Sequence, residues 1–213
     1  MSFDLSKIEA TLNRVNGFDK ISVQAGVPKG PTYPADRGGK SVAEVAAIQE
    51  FGAPAARIPP RPFIRPAFKN NKAEWKDSLG DGVVQVINGN TSADDVLSLA
   101  GEQAQLAIQT EILDCYEPPL SPITVLLRAW RKNGVKITGQ VVGQAAEAIK
   151  MGSATGGDDK PLIDDGILLA SISYAVNTKE SDPEPDPYEV TKILSFGFAI
   201  SKTLASPKIE EPE

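Results

Sequence analysis

Where the hydrophobic period changes constrains this chain most. Strict alternation occurs near the start and twice at the end. A helical period fills the space between. Ile21, Val23, Ala25 and Val27 alternate with Lys20, Ser22, Gln24 and Gly26, the pattern of a half-buried strand. Leu168, Ala170, Ile172, Tyr174 and Val176 alternate with Leu169, Ser171, Ser173 and Ala175. Tyr188, Val190, Leu194, Phe196, Phe198 and Ile200 share one parity, broken by Lys192. Three strands flanking a helical middle predict an α+β fold: a small, mainly antiparallel β-sheet with helices packed on one face. Strict βαβ alternation is absent, which argues against a doubly wound parallel sheet.

The helices announce themselves by spacing and by caps. Leu5, Ile8, Leu12 and Val15 predict a helix over 3–16, with Ser2 as cap, Asp4 near its N-terminus and Gly17 as stop. Ser41 and Glu44 form a capping box ahead of a helix over 42–51, ended by Gly52. Another helix is expected from about Pro62, with Ile64, Phe68, Trp75 and Leu79 as its apolar stripe and Gly80 and Gly82 interrupting it. Ser92 opens a long helix reaching about Cys115, closed by Glu117-Pro118-Pro119. Ser121-Pro122 predicts a helix through Trp130, Val135 and Ile137 a brief strand, and Val141 to Ile149 a further helix. Residues 28–40 carry three prolines and three glycines and read as a long exposed loop, as do 152–160 and the acidic hairpin loop 179–187. The organisation expected is one domain over 1–204, with 133–158 as an insertion and 205–213 as an acidic disordered tail.

The composition narrows the chemistry. The 213 residues include no histidine and one cysteine, Cys115. Ser-His-Asp and Cys-His catalysis, His-ligated metals and an intrachain disulfide are thereby excluded. Cys115 is expected as a small buried residue. The start lacks a basic segment followed by an apolar run, and no stretch has the length and apolarity of a membrane span. That predicts a protein made in a cytoplasm. Net charge is −6, unevenly placed: residues 1–78 carry +4 and residues 79–213 carry −10. The split disfavours a strongly basic nucleic-acid binder and suits copies packing basic patch to acidic patch.

No catalytic motif is complete. The glycine-rich 152–160 segment has the wrong order for a phosphate loop, and Gly80-Asp81-Gly82 fails the dinucleotide pattern at Gln85. The pairs Asp94-Asp95, Asp158-Asp159 and Asp164-Asp165 read as helix-terminal or turn charges rather than metal ligands, so no metal or cofactor is expected. Arg57, Arg61, Arg65, Lys69, Lys72 and Lys76 are the most distinctive charge feature. They read either as a contact for phosphate or an acidic neighbour, or as a solvated helix face.

Two segments resemble a known family. Val45-Ala46-Ala47-Ile48-Gln49-Glu50-Phe51-Gly52 leads into Ile58-Pro59-Pro60-Arg61-Pro62-Phe63-Ile64-Arg65-Pro66-Ala67-Phe68, and Lys160-Pro161-Leu162-Ile163-Asp164-Asp165-Gly166 leads into Ile167 to Ile172. This ordered pair is similar to the tail-completion and head–tail joining (neck) proteins of tailed bacteriophages. Gln49 stands where that family often has His, and Asp165 where it usually has Thr. The resemblance implies a non-enzymatic virion protein, a ring of identical copies at the head–tail junction or the top of the tail, assembled in the host cytoplasm. Its implied partners are other copies, portal-side neighbours and tail-tube or terminator proteins, with possible non-specific contact with packaged DNA and no membrane. The docking candidates are then Glu50, Phe51, Arg57, Arg61, Phe63, Arg65, Lys69, Lys72, Lys76 and Asp164, with Arg61 and Arg65 expected to pair with carboxylates of the sheet edge or of the next subunit. Competing expectations are a minor tail or baseplate protein and a DNA-contacting module.

Overall fold

A computed structural model describes residues 5–152 and 160–178. The expected strand over 188–200, the 179–187 loop, the terminal tail, the Ser2 cap and most of the 152–160 loop lie outside the described residues. The elements run α1 (Leu5–Asn16), β1 (Ile21–Gly26), α2 (Val42–Phe51), α3 (Ile64–Asn88), α4 (Ala93–Leu113), α5 (Pro122–Lys132), α6 (Gly139–Lys150), α7 (Ile167–Ala170) and β2 (Ser173–Thr178). β1 and β2 pair as a small antiparallel sheet, so the fold is α+β. No helix among the described residues is long and apolar enough to cross a membrane.

The chain divides into two compact units, each assembled from separate stretches: residues 1–24, 73–102 and 174–213, and residues 25–72 and 103–173. No linker marks them, because α3 and α4 each run through a boundary.

In the first unit, Ile21 and Val23 project from one face of β1 and bury against Ala93 and Leu97, with Phe18, Leu79, Tyr174 and Val176 packed around them. Period two on the strand and i, i+4 on the helix bring those four side chains into one cluster. Two glycines let backbones approach. A Cβ at Gly82 would stand 2.6 Å from Val96 Cγ1, and one at Gly101 would enter the Tyr174 ring and stand 2.9 Å from Val23 Cγ2. The expected interruption of α3 at Gly80 and Gly82 therefore does not occur: α3 is continuous, and Gly82 serves close packing. At the head of α4, Ser92 Oγ accepts from Asp95 N at 3.1 Å while Asp95 Oδ2 accepts from Ser92 N at 3.3 Å, a reciprocal cap.

In the second unit, Val42, Ala46, Phe63, Ile64, Ala67, Ile108, Ile112 and Ala145 are nearly inaccessible. α2 begins as read, with Ser41 Oγ accepting from Glu44 N at 3.1 Å. The Glu44 carboxylate pairs with Lys40 rather than reaching back to Ser41. The 28–40 segment is more ordered than its composition suggested: Thr32 bridges Ser41, Tyr33 N donates to Lys40 O at 2.9 Å, and Ala35–Arg37 form a 3-10 turn. The brief strand expected at Val135 and Ile137 is absent; Asn133 and Gly134 instead close α5 with bonds back to Ala129, Trp130 and Arg131 carbonyls. The strand expected from Leu168 starts at Ser173, and Ile167–Ala170 form a helical turn. Leu168 and Ile172, both buried, are four residues apart, a spacing that serves one helical turn as well as one strand face. Cys115 is half-buried, not buried.

Candidate functional site

Two polar clusters of the second unit each take in part of the segments quoted above, 45–68 in one and 160–167 in the other. The first is a clasp around Glu50. Its side chain is fully buried in the last turn of α2. Oε2 accepts from Phe63 N at 2.7 Å and Ile64 N at 2.9 Å; Oε1 accepts from Arg65 N at 3.1 Å and Arg65 Nε at 2.8 Å. Arg65 Nη2 also donates to the Glu50 carbonyl at 2.7 Å.

The residue types follow from the geometry of a helix start. An α-helix beginning at Ile64 leaves the N–H groups of residues 63 to 66 without intrahelical acceptors. Residue 66 is proline and has none. The remaining three all donate to one carboxylate. An anion at this helix end also meets the positive end of the helix dipole. A buried charge that would be costly alone is thus held by four donors, one of them a guanidinium.

Arg61 extends the clasp. It is 5 % exposed and binds oxygens that carry no formal charge: Nε donates to Pro118 O at 2.8 Å, Nη2 to Pro119 O at 3.1 Å and Nη1 to Gln49 Oε1 at 3.4 Å. Its own N donates to Gln49 O at 2.6 Å. Burial lowers the Arg61 pKa, an effect opposed by nearby Cys115; burial raises that of the Cys115 thiol. Arg65 lies over the Phe51 ring, with its guanidinium carbon 5.1 Å from the centroid.

The second cluster surrounds Asp164. Its Oδ2 is shared by Arg37 and Arg131, with Arg128 Nε at 3.8 Å. Arg37 also grips Asp165, whose other oxygen accepts from Ile167 N at 3.1 Å at the head of α7. Arg128 donates to the carbonyls of Lys160 at 2.8 Å, Pro161 at 2.9 Å and Ile163 at 3.2 Å. These side chains, with Tyr33, Gln49, Thr124 and Leu168, line a cavity of about 510 Å³. Burial raises the Tyr33 pKa, partly offset by Arg37, whose guanidinium carbon stands 5.9 Å from the ring centroid. Three guanidiniums around Asp164 and Asp165 oppose cation binding there.

Glu50, Phe51, Arg61, Phe63 and Arg65 are therefore brought together, and Asp164 joins a different cluster. Arg61 and Arg65 do not pair with a sheet-edge carboxylate: Arg61 holds carbonyls and Arg65 holds Glu50. Phe63 is fully buried. Arg57, Lys69, Lys72 and Lys76 are exposed, Arg57 at a left-handed φ of 55°. The basic run is thus two different things, an internal pair of arginines and a set of surface cations. Sequence reading missed Arg37, Arg128 and Arg131. Only Arg128 and Arg131, one helical turn apart on α5, left a local signal, and their partner lies over thirty residues away. No protein-family model, curated protein or solved structure matches this chain.

Proposed function

We propose that this protein is a structural component of a tailed-bacteriophage virion, forming a homo-oligomeric ring at the head–tail junction or the top of the tail, and that it acts by assembly rather than catalysis. One observation carries the reading: the residues on which the family resemblance rests are those that lock the second unit. Glu50, Arg61 and Arg65 tie α2 to the start of α3 and to residues 118–119. Asp164 and Asp165 tie the 160–167 segment to Arg37 and α5. That the quoted segments serve internal contacts, and not scattered surface positions, is what supports the reading.

The proposed partners are copies of the chain, a portal-side neighbour and a tail-tube or terminator protein. The proposed location is the virion, after assembly in the host cytoplasm. Electron microscopy of particles labelled on this chain tests the reading. Label in a ring at the head–tail junction is expected; label at the tail tip, or none in the particle, overturns it and favours a baseplate role or a non-virion one. The exposed Lys69, Lys72 and Lys76 favour one second reading, contact with packaged DNA, which predicts salt-sensitive DNA binding by the purified chain.

A further inference from the structure

We infer that residues 31–42 form a flap, latched by Arg37 onto Asp164 and Asp165, that opens and closes over the cavity of the second unit. The inference stands independently of the virion reading.

The segment holds itself together. Thr32 and Ser41 bridge its two ends, and Val42 N donates to Pro31 O at 2.9 Å. Inside the bridge, Tyr33 N donates to Lys40 O at 2.9 Å, Arg37 N to Pro34 O at 2.9 Å and Gly39 N to Pro34 O at 3.2 Å. Among the described residues, no backbone-to-backbone hydrogen bond of 32–40 leaves 31–42. The result is a compact loop with adjoining ends. Gly30, at a φ of 121° that favours glycine, stands just outside the bridge and supplies a hinge.

Nor does the segment feed the core. From Pro28 to Lys40 every residue is exposed except Tyr33 and Arg37, which are half-buried. A segment with no buried apolar side chain belongs to the low-stability end of a structure. Its two inward side chains, with Asp36, form one wall of the cavity of about 510 Å³. The other walls come from α2, α5 and residues 161–168, and are apolar at Val45, Leu127 and Leu168.

Arg37 ties the flap to those walls. Its Nη2 donates to Asp164 Oδ2 at 2.5 Å, and its Nη1 pairs with Asp165. The acidic side of this latch tolerates release. Without Arg37, Asp164 keeps Arg131 on the same oxygen, with Arg128 Nε at 3.8 Å, and Asp165 keeps the bond from Ile167 N. Neither carboxylate becomes an uncompensated buried charge, which is the main cost of breaking a buried pair. Arg37 itself passes to water on an exposed loop. The closed flap also leaves Asp164 Oδ1 buried without a donor among the described residues. Opening admits water to that acceptor and offsets part of the lost pairing. One latch and one unsatisfied acceptor thus oppose each other, which makes the flap a two-state element.

Two measurements on the full chain test this in a Cys115→Ser background. Spin labels at Ala35→Cys on the flap and Lys132→Cys at the end of α5 read the distance across the cavity mouth. Labelling of Leu168→Cys by an aromatic disulfide reads access to the cavity. Adding Arg37→Ala is expected to replace the parent distance with a longer, broader one. The same change should speed Leu168→Cys labelling at least tenfold, with the urea midpoint unmoved. Raising NaCl from about 0.05 to about 1 M should speed labelling several-fold in the parent and not in Arg37→Ala, since the salt acts on the latch. A parent distance retained in Arg37→Ala overturns the inference, as does either readout changing without the other. A lowered urea midpoint overturns it too, because Arg37 would then hold the fold and not a flap.

Discussion

Gly101→Ala separates close packing from helix propensity within the first unit. Replacing glycine by alanine in an open helix interior stabilises by about 0.5–1 kcal/mol, because the unfolded chain loses freedom. Gly80 in α3 is such a site: it is exposed, and an added Cβ meets nothing within 4 Å. Gly101 in α4 is not. Its Cβ would stand 2.7 Å from Tyr174 Cγ and 2.9 Å from Val23 Cγ2, so both strands of the sheet must move off the helix. Overpacking of this kind costs about 1–3 kcal/mol. Subtracting the propensity gain leaves Gly101→Ala destabilising by up to about 2.5 kcal/mol, while Gly80→Ala stabilises. At about 2–4 °C per kcal/mol for a chain of this size, the midpoint falls by up to roughly 10 °C for Gly101→Ala and rises by roughly 1–4 °C for Gly80→Ala. Circular dichroism melts of the two variants beside the parent measure both. A rise for Gly101→Ala equal to that for Gly80→Ala would refute the contact between α4 and the sheet.

Glu50→Ala strands the buried N–H groups of Phe63 and Ile64 and the part-buried one of Arg65, and is expected to lower unfolding free energy by about 3–5 kcal/mol in urea titrations; a loss under 1 kcal/mol contradicts the clasp. Arg61→Lys keeps the charge but cannot serve the Pro118, Pro119 and Gln49 oxygens in one plane, so a loss of about 1–3 kcal/mol is expected from the same titration. Hydrogen bonds from Ser92 lower the pKa of Asp95. The stability this gives is therefore fully present above the ordinary aspartate range and disappears as pH falls through the lowered value. Ser92→Ala should raise the Asp95 midpoint in an NMR titration, and an unmoved midpoint rejects the cap. Lys69→Glu, Lys72→Glu and Lys76→Glu should each change stability by less than about 0.5 kcal/mol. The same variants should weaken DNA binding if the DNA-contact reading holds, which a filter-binding salt series reads out.

Local rules made most of the helices legible. α2 runs from Val42 to Phe51 as its cap and Gly52 dictate, because both signals act within one turn. Elements went unread where a neighbour distant in sequence decided the outcome. Gly82 looks like a breaker until Val96 is placed against it. Leu168 satisfies strand and helical periods equally; the left-handed Gly166 and the bond from Ile167 N to Asp165 accompany the helical turn. The split into two units left no composition signal, since continuous helices cross it. Among the site residues, the Glu-Phe-Gly and Arg-Pro-Phe segments could be picked out as a pattern. That the glutamate of one would serve the N–H groups of the other could not.

The two prolines of Arg-Pro-Phe-Ile-Arg-Pro explain why a single carboxylate is enough. Pro66 removes one of the four unsatisfied donors at the head of α3, and Pro62 fixes the backbone that delivers the other three. A serine or threonine cap accepts from one of these donors, whereas Glu50, reaching from another helix, accepts from all three and fixes the position of α2 at the same time. Within this motif Glu50 and Phe63 have no accessible surface and Arg61 almost none, whereas the Arg65 side chain and Phe51 remain exposed. Substitutions of Glu50, Arg61 and Phe63 should therefore act through stability; a Glu50→Ala chain with an unchanged urea midpoint would break that account.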